Sequence, residues 1–130
     1  MQGGTAPVTV LQVDDEPEFL SLSATLLEEV ADIDLTVRTA TSVEDGLDVI
    51  AADSIDCVVS DYDMPRTDGI EFLQAVREAD PDVPFILFTG KGSEEIASDA
   101  ISAGVTDYLQ KEAGRERFEI LANRIENAVR

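Results

Sequence analysis

Short apolar runs alternate five times along this chain with stretches in which apolar residues recur every three or four positions. Runs at Val8 to Val13, Leu35 to Ala40, Ile55 to Ser60, Val83 to Phe88 and Val105 to Leu109 have strand length and strand composition. Between and after them, helical spacing appears in Phe19, Leu22, Leu26 and Val30; in Val43, Leu47 and Ile50; in Ile70, Leu73 and Val76; in Ile96, Ala100 and Ala103; and in Phe118, Leu121, Ala122, Ile125 and Val129. Punctuation agrees with the pattern. Ser42 followed by Asp45 is an N-terminal capping signal, Asp80-Pro81 must end the third helix because proline lacks a donor, and Gly104 closes the fourth. Parallel neighbours require long crossovers, so a (βα)5 repeat implies an α/β domain with helices on both faces of a five-stranded, doubly wound parallel sheet. The first, third and fourth runs are almost wholly apolar, as buried central strands must be. The second and fifth carry Thr36, Arg38, Thr39, Thr106 and Asp107 and are read as edges, which gives the order 2-1-3-4-5. At 130 residues the chain is one domain, read as residues 7–130 after a frayed, disordered start at 1–6.

Composition narrows the function classes. The net charge is -19, from 28 acidic and 9 basic side chains, so the clustered Lys and Arg needed for phosphate-backbone or anionic-membrane contact are missing. Only residues 111 to 130, with five bases against four acids, escape the acidic field. The simplest reading of the excess is a solvated coat tuned to high salt, as in a halophilic organism; a cationic docking partner is the alternative. The chain holds no histidine, so it can supply no imidazole base, ligand or phosphohistidine. Its single Cys57 lies in an apolar run and fits a reducing, cytoplasmic interior; no signal pattern or 18-residue apolar stretch is present.

In an open parallel sheet, ligands bind outside the carboxyl ends of the strands. Those ends carry Asp14-Asp15-Glu16, Asp61-Tyr62-Asp63, Thr89-Gly90 and Gln110-Lys111, whereas the second run ends in Thr39-Ala40 with nothing ionisable. Asp14, Asp15 and Asp61 packed together would repel by up to about 4 kcal/mol per pair at 4 Å and an effective dielectric near 20, so the cluster calls for a cation. Oxygen-only donors favour a hard ion, with Mg²⁺ the best fit. Lys111 and Thr89 supply an ammonium and a hydroxyl suited to phosphoryl oxygens, and a carboxylate can be the nucleophile that becomes an aspartyl phosphate.

In these residues the chain resembles the receiver domain of two-component response regulators, over residues 7 to 130. The resemblance rests on Asp14-Asp15, on Asp61-Tyr62-Asp63-Met64-Pro65 leading to Asp68-Gly69, on Thr89-Gly90 and on Lys111, in that order. It implies a flavodoxin-like three-layer sandwich in which Asp61 accepts a phosphoryl group from a sensor histidine kinase or phosphotransfer protein. It also implies that Asp15, Asp61 and the backbone carbonyl of Asp63 hold Mg²⁺ while Asp14 reaches the metal through water. Thr89 and Lys111 would bind the phosphoryl group, Tyr108 would be an aromatic switch, and the fourth helix, fifth strand and fifth helix would form the face that changes. A downstream effector or a fused output domain would read that face, which can also serve as a dimer contact. The family usually has proline after the lysine, often behind a cis bond; here Glu112 follows, and a trans bond is expected because a non-proline cis bond costs about 2.5 to 4 kcal/mol. Asp63 and Lys91 fall at variable positions two residues beyond Asp61 and Thr89, where they are expected to approach each other and lengthen the phosphorylated lifetime.

Rival readings fare worse. Phosphatases that form aspartyl phosphates place their Asp-x-Asp pair after the first strand, not the third. A helix-loop-helix Ca²⁺ loop would need glycine at its sixth place, but Gly69 is ninth from Asp61. Gly90 to Ser93 is no nucleotide loop, since Phe85 stands where its first glycine belongs. The rival to carry forward is a pseudo-receiver that binds a partner without being phosphorylated. Gly69 itself is read as permitting a positive φ or a close helix approach.

Overall fold

The computed structural model describes residues 7–90, 93–112 and 114–130. Ten elements alternate along it: β1 (Val8–Val13), α1 (Pro17–Val30), β2 (Leu35–Ala40), α2 (Val43–Ala52), β3 (Cys57–Ser60), α3 (Gly69–Ala79), β4 (Phe85–Thr89), α4 (Glu94–Ser102), β5 (Asp107–Gln110) and α5 (Arg115–Ala128). The five strands form one parallel sheet in the order β2-β1-β3-β4-β5, with β2 and β5 at its edges as their polar residues require. This is the flavodoxin-like α/β architecture.

Alternation along each strand feeds two separate cores. On one face Val10, Val59, Ile86 and Phe88 pack with Leu27 of α1 and with Phe118, Leu121 and Ile125 of α5. On the other, Leu11, Val13, Val58, Phe85 and Leu87 pack with Phe72, Leu73 and Val76 of α3 and Ala100 of α4, with Leu47 and Ile50 of α2 against them. None of the described helices is long and apolar enough to cross a membrane.

Local chemistry sets the helix ends. Ser42 Oγ accepts from the Asp45 amide at 3.1 Å, as the capping signal implied. α3 begins with a reciprocal box in which Asp68 accepts from the Glu71 amide at 2.9 Å and Glu71 from the Asp68 amide at 3.1 Å. It ends at Ala79, ahead of Pro81, and Gly104 takes φ +92° after α4. β3, β4 and β5 each start two residues later than the apolar runs suggest. Pro84 has no N–H for the ladder, and Thr106 Oγ1 takes the Phe85 amide at 2.9 Å in place of a strand carbonyl. The leading Ile55, Val83 and Val105 are apolar because they pack on the second core, not because they pair.

Cys57 is fully buried, and burial pushes its thiol up to about 12, with the Asp56 charge adding to the effect. The nucleophilic thiolate is therefore suppressed far beyond neutral pH. Native protein at pH 8 is expected to resist alkylation by iodoacetamide and to label at once in urea; rapid native labelling followed by mass spectrometry would contradict this.

Candidate functional site

β1 and β3 are adjacent, so the residues that follow them meet at the carboxyl edge of the sheet. The Asp14 amide still donates to Ala40 at 3.1 Å and the Asp61 amide to Val13 at 3.0 Å, so both side chains leave from anchored backbone. Asp14 Oδ1 accepts from the Glu16 amide at 3.0 Å, turning the chain into Pro17 at the start of α1. Asp61 Oδ1 accepts from the Tyr62 amide at 2.8 Å. One carboxylate oxygen from each of Asp14, Asp15 and Asp61 lies within 4.8 Å of the others. Asp14 is 1% exposed and Asp61 8%, whereas Asp15 opens to solvent.

Lys111 arrives from the far side of the sheet. Its amide donates to Thr89 at 2.9 Å, which fixes the backbone beside β4. Its Nζ lies 2.6 Å from Asp14 Oδ2 and 3.3 Å from Asp61 Oδ2, and 4.3 Å above the centre of the Phe19 ring. Burial pushes the Asp14 carboxyl above its ordinary 3.8; the Lys111 and Glu16 hydrogen bonds oppose that rise, and the neighbouring Asp61 charge adds to it. The arrangement is a half-buried group of carboxylates with one ammonium among them and its exposed member, Asp15, toward water.

Gly69 is what lets β3 and α3 close around Asp61. A Cβ there would stand 2.3 Å from the Asp61 carbonyl oxygen and 2.9 Å from both Tyr62 Cα and Leu87 Cδ1. Of the two readings given to this glycine, the close approach is the one realised; positive φ occurs instead at Gly104, Gly114 and Arg66.

The other expected residues are distributed as follows. Thr89 ends β4 fully buried, and Ser93 caps α4. Asp63 is exposed two residues past Asp61, and Lys91, with the expected approach of the two side chains, lies outside the described residues. No cis peptide bond occurs among the described residues, so Lys111-Glu112 is trans. Tyr108 pairs in register with Leu87 and packs on the second core; its hydroxyl is buried and has no hydrogen-bond partner among the described residues. An unpaired buried hydroxyl costs about 1 to 3 kcal/mol, so Tyr108→Phe is expected to stabilise the fold by about 1 kcal/mol, read as a higher urea midpoint; an unchanged or lower midpoint would show that the hydroxyl is satisfied in solution. Phe19 was legible only as part of the α1 stripe; an aromatic one turn beyond Asp14-Asp15 was the available signal.

Fold and site together define a doubly wound α/β domain with an acidic, cation-seeking centre at the carboxyl edge of its sheet. The chain belongs to the response regulator receiver domain family, whose model matches residues 10–123. It is 32% identical over 117 residues to the nitrogen assimilation regulatory protein NtrX of Azorhizobium caulinodans, covering 88% of this chain and 25% of that protein. It is 34% identical over 116 residues to the response regulator MprA of Mycolicibacterium vanbaalenii, covering 89% and 48%. The chain thus spans between a quarter and about half of the length of these relatives. Among solved structures it resembles a response regulator receiver domain protein from Clostridium thermocellum, with TM-score 0.82, 31% identity and 94% of each chain covered. It also resembles the chemotaxis protein CheY4 of Vibrio cholerae, with TM-score 0.83, 26% identity and coverage of 92% of this chain and 99% of that one.

Proposed function

We propose that this domain is a signalling phosphoacceptor in which Asp61 takes a phosphoryl group from a sensor histidine kinase or a phosphotransfer protein. The observation that carries the reading is the convergence of Asp14, Asp15 and Asp61 within 4.8 Å, bridged by Lys111, in a member of the receiver family. An Asp61 carboxylate oxygen forms the new O–P bond as the P–N bond to the donor imidazole breaks, and the imidazole nitrogen keeps the electron pair. These 130 residues contain no histidine, so the donor imidazole comes from outside this domain.

The donor set fits a hard divalent cation: three carboxylates, no sulfur or nitrogen ligand, and exposed Asp15 leaving room for water. Asp15, Asp61 and the Asp63 carbonyl are the groups that would hold Mg²⁺, with Asp14 reaching it through water, and when bound the ion supplies positive charge for the transferring phosphoryl oxygens. Lys111 adds a fixed charge on the other side, already oriented by two carboxylates. Thr89 would turn its hydroxyl toward the phosphoryl group, and Tyr108 would respond as the switch. The output is a shift in the populations of the α4-β5-α5 face, read by an effector or a fused output domain, with a dimer through that face as one outcome. Asp63 and Lys91 would set the lifetime, and the compartment would be the cytoplasm. Phosphoryl incorporation from phosphoramidate that requires Mg²⁺, is labile to hydroxylamine and is lost in Asp61→Asn tests the assignment against the pseudo-receiver reading; continuous multiple turnover would instead indicate a phosphatase.

We assign the remaining acidic excess to a coat suited to high salt. With a net charge of -19, screening by salt should relieve self-repulsion in the folded state. Melting temperature is expected to climb steadily from low salt to molar KCl; a flat profile would remove this reading and favour a cationic partner.

A further inference from the structure

We propose that Phe19 is a positioning residue for Lys111: its ring face holds the ammonium on the Asp14–Asp61 pair and keeps water from one side of it. The inference rests on the phosphoacceptor reading for its kinetic consequence, but not for the contact itself. Lys111 carries its charge on a flexible four-carbon stem, and fixing such a side chain costs rotamer entropy. Two oxygens alone, at 2.6 Å on Asp14 and 3.3 Å on Asp61, leave the remaining flank of the ammonium open. The Phe19 ring, centred 4.3 Å from Nζ, closes that flank and offers its electron-rich face to the cation.

The ring is itself held in place. Phe19 from α1 meets Phe88 of β4 at 6.2 Å and Phe118 of α5 at 6.1 Å, and those two meet edge to face at 6.2 Å. Three elements therefore set the plane over which Lys111 lies, and Phe88 immediately precedes Thr89. The Lys111 side chain is 20% exposed, dry enough for the ring's quadrupole to count. No other aromatic-cation contact is found among the described residues.

The test compares Phe19→Leu, which keeps apolar volume without a π face, with Phe19→Tyr, which keeps the face; Phe19→Met replaces Leu if that variant does not fold. The contact is read first, from the Lys111 ε-methylene proton shifts in the full chain. An upfield ring-current shift is expected in the parent and in Phe19→Tyr and not in Phe19→Leu; ordinary shifts in the parent would overturn the proposal. The rate of phosphoryl uptake from phosphoramidate is read second. A cation–π contact of this kind corresponds to a loss of about 2- to 30-fold in Phe19→Leu, rescued by Phe19→Tyr. The double variant with Lys111→Met separates positioning from packing: Phe19→Leu should cost nothing further once the ammonium is gone, whereas the same loss in both backgrounds would make Phe19 merely structural and overturn the proposal. A parent that takes up no phosphoryl group would defeat the functional reading, while the ε-methylene shifts would still decide the contact.

Discussion

Gly69→Ala is expected to unfold at a much lower urea concentration than the parent, with a loss of about 3 kcal/mol, the upper end of ordinary overpacking. The reason is what the new methyl would meet. Two of its three nearest atoms are backbone, the Asp61 carbonyl oxygen at 2.3 Å and Tyr62 Cα at 2.9 Å, and backbone cannot turn aside as a flexible side chain can. α3 would have to retreat from β3. That retreat strains the bond from the Gly69 amide to the Tyr62 carbonyl, 2.8 Å long, and the capping box at Asp68 beside it. Because the displaced atoms belong to Asp61, phosphoryl uptake should fall along with stability. Gly90→Ala is the matched control: nothing lies within 4 Å of its Cβ, and a change within about 0.5 kcal/mol is expected. Equal midpoints for the two variants would show that the close approach is not realised in solution.

Lys111→Met should produce the second large effect, and one that depends on pH and metal. In Mg²⁺-free buffer at pH 7.5 it removes the cation between Asp14 and Asp61, which are 1% and 8% exposed. Breaking a buried pair by removing one partner costs about 3 to 5 kcal/mol; partial exposure of Lys111 and Asp15 places the expectation near 3. Burial already raises the Asp14 carboxyl, and Lys111 is the leading influence holding it down. A carboxyl raised in the folded state binds its proton more tightly there than in the unfolded chain, so stability falls as pH rises from the ordinary 3.8 through the folded value. Without Lys111 that value moves higher and the loss extends over a wider range. The deficit relative to the parent should therefore be largest near neutral pH, shrink as pH falls toward 4, and shrink again on adding Mg²⁺. Paired urea titrations at pH 4.5 and 7.5, with EDTA or Mg²⁺, check this; a deficit independent of both would mean that Lys111 contributes packing alone.

Much of this architecture was legible beforehand because it follows from periodicity. Edge and centre separated cleanly, since Arg38 and Thr39 in β2, Thr106 beside β5 and Asp107 within it could not lie in a sheet interior covered on both faces. Strand starts were less legible. Val83 and Val105 are apolar for the sake of a helix layer, and a run of apolar letters does not distinguish packing from pairing. At the site, Asp14, Asp15, Asp61 and Lys111 could be placed together because each follows a strand whose position was set by the order. Phe19 could not, and Gly69 was legible only as a choice between positive φ and close approach, because both act in contacts between elements: a ring meeting an ammonium 92 positions later along the chain, and a missing Cβ facing a carbonyl from the preceding strand end. Such contacts arise only once the layers close.

Intact mass spectrometry after incubation with phosphoramidate and Mg²⁺ decides whether Asp61 accepts a phosphoryl group. One adduct of about 80 Da is expected, a phosphoryl group in place of a proton, that needs Mg²⁺ and is absent from Asp61→Asn. No adduct on a folded, Mg²⁺-loaded parent, or an undiminished adduct on Asp61→Asn, would contradict it.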